Sequence, residues 1–254
     1  MTSLQAIPGS AAFGTLVHSL LERLDFTSPS VENDLTNLCR ELIQYQPIDC
    51  DPVVLAQGLS AMLTAPLGGP LGEVKLASIS RDNRLDELDF LLPLSSTSAE
   101  AVAGVVASGL PADDPFRPWF QQVADGRITV PITGMLTGSI DLVARVNGSY
   151  FIADYKTNRI GNDARFTTGE MTNEMNHHGY PLQALLYLVA FRRFLRGRQP
   201  TTHPDDVLLG AAYLFVRGMD PSRPSSDTRG VMWWNPPGDL LDAVDKLIGP
   251  GESS

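Results

Sequence analysis

Two aspartates and a lysine flank a short turn in this chain. They sit in the runs Gly138-Ser-Ile-Asp141 and Asp154-Tyr-Lys156, on either side of Asn147-Gly148. Asn-Gly between two β-rich runs is a strong hairpin signal, because a type I′ turn needs positive φ at both central residues. A two-residue turn there sets Asp141 directly opposite Asp154 and leaves Lys156, two residues further on, on the same face as Asp154. Directly opposed residues hold their Cβ atoms ~4.5–5.5 Å apart, where like charges repel, so two carboxylates in that position need a shared proton or a cation. A hard divalent ion such as Mg²⁺ prefers oxygen ligands and keeps waters and substrate phosphate in its shell. A lysine beside it can orient or deprotonate an attacking water and stabilise charge developing on a phosphoryl oxygen. The plain alternative is a solvent-facing hairpin with a wet, charged face. Against it, Asp154 and Lys156 close the apolar run Tyr150-Phe-Ile-Ala153, the end at which a buried strand delivers functional side chains.

The elements that must position these groups follow from periodicity. Residues 13–25 place Leu16, Val17, Leu20, Leu21 and Leu24 at helical spacing, and 31–46 and 52–64 read as two further helices, stopped near Pro47 and Pro66. Residues 84–94 read as a strand with Glu87 near its middle, 98–108 as a small-residue helix and 110–118 as a loop. The hairpin spans 138–156 and is followed by a polar, mobile segment over 163–178. A long helix over 180–196, a buried strand over 207–217, a loop over 218–230, a short strand over 231–234 and a helix over 238–248 complete the pattern. The expectation is a single domain over 1–254: a mainly helical part over 1–80, a core over 81–240 and a flexible tail over 249–254.

Composition narrows the class. The chain has 254 residues with 43% hydrophobic side chains, enough for a sizeable core and too many for a disordered chain. It has no long apolar run and no basic, then apolar, leader, so a cytoplasmic protein without membrane contact is expected. Two cysteines, Cys39 and Cys50, cannot build a disulfide framework or a four-cysteine metal site. The net charge of −10 argues against a free-standing nucleic-acid binder. The acidity is uneven, however: residues 1–140 carry 7 basic against 16 acidic side chains, and residues 141–254 carry 12 against 13. Arg192, Arg193, Arg196 and Arg198 read as a solvated helix end favoured by the dipole, with phosphate contact as the sharper alternative.

The wider context of the hairpin is more specific. His18 stands in Gly14-Thr-Leu-Val-His18, Glu87 in Asp-Glu-Leu-Asp-Phe, and Tyr180-Pro-Leu-Gln183-Ala-Leu-Leu-Tyr187 follows the hairpin. This ordered set, from about Gly14 to Trp234, resembles the RecB-type nuclease domain of the restriction-endonuclease-like, PD-(D/E)xK superfamily. The resemblance implies an α/β fold, with a mixed central sheet flanked by helices and a helical N-terminal part. It further implies Mg²⁺-dependent hydrolysis of DNA phosphodiesters, on a single strand fed from unwound duplex by a RecB helicase part, with RecC- and RecD-like subunits as partners. The metal ligands it implies are His18, Asp141, Asp154 and the Tyr155 carbonyl, with Lys156 acting on the water and Glu87 holding metal through water. Tyr180, Gln183 and Tyr187 would line the DNA path.

Each residue also has a plainer reading: His18 as a structural partner on an amphipathic helix, Tyr187 as a packed tyrosine, Gln183 as a surface glutamine. His177 and His178 could contact substrate, and Glu22 is expected to face water. Two cysteines disfavour the iron–sulfur branch of these nucleases. The absence of a Gly-x-x-x-x-Gly-Lys-(Ser/Thr) loop excludes a helicase motor. Two rival functions remain, a catalytically inactive nuclease-like scaffold and a nuclease acting on RNA. The acidic balance predicts weak intrinsic DNA affinity, so that a tethered motor would have to deliver the substrate.

Overall fold

The computed structural model describes residues 3–45, 48–93, 97–130, 135–161, 165–222 and 230–249. Four helices open the chain: α1 (Ser3–Ala6), α2 (Ala11–Arg23), α3 (Val31–Ile43) and α4 (Pro52–Leu63). A small antiparallel pair, β1 (Pro66–Gly68) and β2 (Gly72–Lys75), leads to the long strand β3 (Arg84–Pro93). Next come α5 (Ala99–Gly109), α6 (Arg117–Ala124), the hairpin β4 (Met135–Val146) and β5 (Ser149–Lys156), then α7 (Thr168–His178) and α8 (Tyr180–Arg198). The chain closes with α9 (Pro204–Val207), β6 (Leu208–Phe215), β7 (Val231–Trp234) and α10 (Gly238–Ile248). Five strands form one mixed sheet in the order β3-β4-β5-β6-β7, antiparallel throughout except for the parallel pair β5–β6. A parallel pair needs a long crossover, and α7 and α8 supply it.

Each face of the sheet is covered. Leu142, Ala144, Phe151, Ala153 and Tyr155 pack on one side against Phe13, Leu16, Val17 and Leu20 of α2 and the residues of α4. Ile140, Ile152, Tyr213 and Phe215 pack on the other against α8, α5, α6 and α10. The helix–sheet–helix arrangement is the mixed α/β fold expected. Asn147 and Gly148 both take positive φ, 52° and 87°, and Val146 pairs with Ser149, as a type I′ turn requires.

Two close approaches seat α2 over the end of β5. A Cβ on Gly14 would lie 3.2 Å from the Thr157 hydroxyl, so glycine lets the helix start against the strand end. The guanidinium of Arg217, 1% exposed, donates to the carbonyls of Leu4, Ile7 and Thr157 and lies 4.4 Å from the Phe13 ring centroid. It ties the first residues to the strand end that carries Lys156. Gly138 has a similar role on β4: a Cβ there would meet the Phe90 ring at 2.6 Å. Gly138→Ala is therefore expected to cost about 1–3 kcal/mol through displacement of that ring, measured by chemical denaturation.

The segment after the hairpin departs from expectation. Residues 168–178, read as polar and mobile, form α7, whose start is fixed by a capping box between Thr167 and Glu170 and whose apolar contact is Met171 and Met175. Residues 163–164 of that segment, 223–229 of the expected loop and 250–254 of the expected tail lie outside the described residues.

Candidate active site

The β3–β4 register runs without a shift from Arg84↔Ala144 to Pro93↔Met135, and it sets Glu87 opposite Asp141 at the one row the ladder leaves unpaired. Side chains should alternate faces along both strands, yet at this row both strands lose a pleat. Leu142 and Ala144 belong to the core under α2, whereas Ile140, two residues back, belongs to the core under α8. On β3, Arg84 lies over the Phe26 ring on the α2 side, whereas Leu88 and Phe90 pack on the α8 side. Glu87 takes φ 52°, a left-handed conformation unusual for a residue with a Cβ. That conformation turns the strand and aims Glu87 and Asp141 toward the helix layer that carries His18.

On the other side of Asp141, the β4–β5 pairs end at Leu142↔Ala153. Extending the hairpin by one residue brings Asp141 to Asp154, and there the Asp141 side chain enters the ladder: its Oδ2 accepts the Tyr155 amide at 2.7 Å. Asp154 is in register with Tyr213 on β6. Glu87, Asp141, Asp154 and Tyr213 thus form one row across four strands.

His18 reaches this row from α2. Its Nε2 lies 3.0 Å from the Tyr155 carbonyl and its Nδ1 3.5 Å from Asp141 Oδ2. One ligand atom each from His18, Glu87 and Asp141 falls within a span of 4.8 Å, the kind of group that can hold a metal ion. The Tyr155 carbonyl borders it. The Asp154 carboxyl lies within hydrogen-bonding reach of Asp141, but it is turned to Lys156, with which it forms a buried ion pair. Three of the expected ligands therefore converge, the fourth is held by the lysine, and Glu87 joins the group.

The local charges have distinct causes. Burial, reinforced by the Asp141 charge and opposed by Lys156, pushes the Asp154 carboxyl up to about 7. For Asp141, burial is outweighed by the hydrogen bond and charge of His18 and by the Tyr155 amide, which hold it below the usual carboxylate range. Burial works against the His18 cation, yet Asp141 and Asp154 together raise its pKa. Glu87 is raised by burial, with the Asp141 charge adding. Convergent, partly desolvated carboxylates of this kind suit a divalent cation, because the cation relieves the repulsion that perturbs them.

Lys156 sits among groups from α8 and β6. Its Nζ donates to Gln183 Oε1 at 3.2 Å and lies 3.7 Å from the Tyr180 ring centroid. Gln183 Nε2 donates to the Tyr187 hydroxyl at 2.8 Å. Of the residues expected along a DNA path, Gln183 thus accepts from the lysine, Tyr187 holds Gln183, and Tyr180 lies under the ammonium. His178, raised as a possible substrate contact, stacks on Tyr180 and pairs with Glu174, which also accepts from Asn158. Glu22 is exposed, as expected. Tyr213 opens the run Tyr213-Leu-Phe-Val-Arg-Gly, which belongs to the family resemblance, but its place beside the lysine has no sequence signal of its own.

Three of the four arginines of α8 are neither a solvated helix end nor a free phosphate surface, while Arg198 is exposed at the helix end as expected. Arg192, 2% exposed, pairs with Asp205 and Asp242; Arg193 pairs with Asp245; Arg196 pairs with Asp242 and Asp245. They bind α8 to α9 and α10. Arg192→Met should lower stability by about 1–3 kcal/mol, the partner carboxylates being near enough to water to rehydrate. Its affinity for single-stranded DNA, read by fluorescence anisotropy without cleavage, should stay within about twofold of the parent because the side chain is no phosphate contact.

Fold and site together define a nuclease class: residues 4–231 match the PD-(D/E)XK nuclease superfamily, and the chain belongs to it. Among curated proteins it is 38% identical over 267 residues to the RecBCD enzyme subunit RecB of Mycobacterium tuberculosis, an alignment covering 98% of this chain and 24% of that protein. It is 36% identical over 260 residues to the RecB subunit of Mycolicibacterium smegmatis, covering 95% and 24%. To that of Escherichia coli K12 it is 34% identical over 249 residues, covering 95% and 19%. The chain thus spans between about a fifth and a quarter of the length of these relatives. No helix among the described residues is long and apolar enough to cross a membrane.

Proposed function

We propose that this chain is the nuclease domain of a RecBCD-type helicase–nuclease, a Mg²⁺-dependent deoxyribonuclease of the exodeoxyribonuclease V type acting in double-strand-break repair and recombination. Its substrate is single-stranded DNA fed from duplex by a RecB helicase part, in a cytoplasmic assembly with RecC- and RecD-like subunits. The observation that carries this reading is the convergence of His18, Glu87 and Asp141 on one small space, with Lys156 against Asp154 beside it.

His18, Asp141, Asp154 and the Tyr155 carbonyl would hold the cation, with Glu87 at its border. When bound, the cation supplies Lewis acidity toward phosphate and water. Asp154 would exchange its ion pair with Lys156 for the metal, and the freed ammonium would orient the attacking water toward phosphorus. Gln183 and Tyr180 keep that ammonium within reach of the row. Beyond Lys156, a cleft of about 610 Å³ lined by Ser10, Thr157, Asn158, Arg159, His178 and the acid Glu174 gives room for a strand to approach. The retention of a complete set of opposed acids and lysine speaks against an inactive scaffold, which has no use for their mutual repulsion.

The test is cleavage of end-labelled single-stranded DNA with Mg²⁺ and with chelator, alongside an RNA of the same sequence, with Asp154→Asn as the control for contaminating nuclease. Metal-dependent DNA cleavage absent from the control is the expected result. Equal cleavage by both proteins would remove the enzymatic reading, and preferential cleavage of RNA would replace the substrate.

A further inference from the structure

We propose that Tyr213 is a positioning residue for Lys156, acting through the side-chain amide of Gln183; the inference rests on the nuclease reading of the site. Tyr213 is 1% exposed and in register with Asp154 on the neighbouring strand. Its hydroxyl lies 3.0 Å from Gln183 Oε1, the same oxygen that accepts from Lys156 Nζ at 3.2 Å. An ammonium can only donate, so that oxygen must face Lys156. Burial, with the Asp154 charge adding, keeps the Tyr213 phenol protonated and able to donate. Gln183 Oε1 is thus held from two sides, while Nε2 is committed to Tyr187.

The arrangement matters most when the lysine lets go of Asp154. Its ion pair is then gone, and what keeps Nζ over the Tyr180 ring is the Gln183 carbonyl, itself pinned by Tyr213. The Tyr213 ring adds a second aromatic face, 5.2 Å from Nζ and stacked on Tyr180 at 5.8 Å. The same hydroxyl also lies 3.3 Å from the Tyr180 carbonyl, so Tyr213→Phe keeps both ring contacts but removes both hydroxyl contacts, and the Gln183→Met background is what separates the path through Gln183 from the one through Tyr180.

The chain contains 3 lysines, Lys75, Lys156 and Lys246, which makes the ammonium of Lys156 individually observable. In the metal-free Asp154→Asn protein, where the ion pair is gone, ¹⁵N-lysine spectra should show a Lys156 ammonium whose hydrogen exchange quickens when Tyr213→Phe is added, with exposed Lys75 unchanged. In the cleavage assay, Tyr213→Phe should lower kcat about five- to tenfold with KM for single-stranded DNA unchanged, the loss expected for one supporting hydrogen bond. In a Gln183→Met background the same substitution should have no further effect, since the path runs through that amide. Unchanged Lys156 exchange, a parental kcat, or a full additional loss in the Gln183→Met background would overturn the inference. If the parent protein cleaves nothing, the nuclease reading fails, and the exchange measurement still decides whether Tyr213 holds Lys156.

Discussion

Asp154→Asn is expected to abolish metal-dependent cleavage, by ~10³-fold or more, while making the metal-free protein more tolerant of high pH. Both effects come from one carboxylate. In the row of Glu87, Asp141 and Asp154 it is the most deeply buried acid, 3% exposed, with Asp141 beside it and Lys156 as its counter-ion. Its carboxyl is raised to about 7, so in the absence of metal the folded chain binds a proton there that the unfolded chain has already released. The folded state therefore takes up more protons than the unfolded state between about pH 4 and pH 7, and stability falls as pH rises through that window. The scale is a few kcal/mol, because each tenfold difference in proton affinity between the two states is worth about 1.4 kcal/mol. An amide does not titrate, so the variant should lose this slope. Denaturation curves from pH 4.5 to 8.5 in chelator check it: a relative gain of the variant toward alkaline pH is expected, and parallel curves would contradict it. Added divalent metal should reverse the order, stabilising the parent and leaving the variant nearly unmoved.

Lys156→Met is expected to lower cleavage by ~10²-fold or more without loss of metal binding. Methionine keeps an unbranched stem of similar length and removes the ammonium, and with it the cation–π contacts to Tyr180 and Tyr213. The competitor for the Asp154 carboxylate is gone, so the thermal upshift produced by Mn²⁺ or Mg²⁺ should be retained or increased. A ligand variant loses metal binding and activity together, whereas this one should separate them. Loss of the metal-induced upshift in Lys156→Met would mean that the lysine supports the site structurally and has no part in the chemistry.

Much of this is legible in the sequence. Asn147-Gly148 has one favoured turn, and that turn alone sets Asp141 against Asp154 and Lys156 on a known face. The apolar stripe of α2 likewise leaves His18 at its half-buried flank. What cannot be read there depends on backbone conformation and on partners far along the chain. Glu87 is visible as an acid in a strand, but the left-handed turn that aims it, and the pleat lost on both strands, follow from the packing of two cores against one sheet. The arginines of α8 look solvent-facing because their aspartates, Asp242 and Asp245, stand some fifty residues later on another helix. The α7 start is present in sequence as Thr167 and Glu170, a legible cap masked by the polarity of the segment around it. Gln183 looks like a surface residue on a helix, and only β6 beneath it, with Tyr213, makes it part of the lysine's support.

These side chains are proposed to share a cation. Anomalous diffraction from crystals soaked in Mn²⁺ tests it most directly. A single strong peak, or a close pair, is expected, bordered by His18, Asp141, Asp154 and the Tyr155 carbonyl, with the Lys156 ammonium moved off Asp154 toward Gln183. An empty site at saturating Mn²⁺, with Lys156 still paired to Asp154, would contradict it.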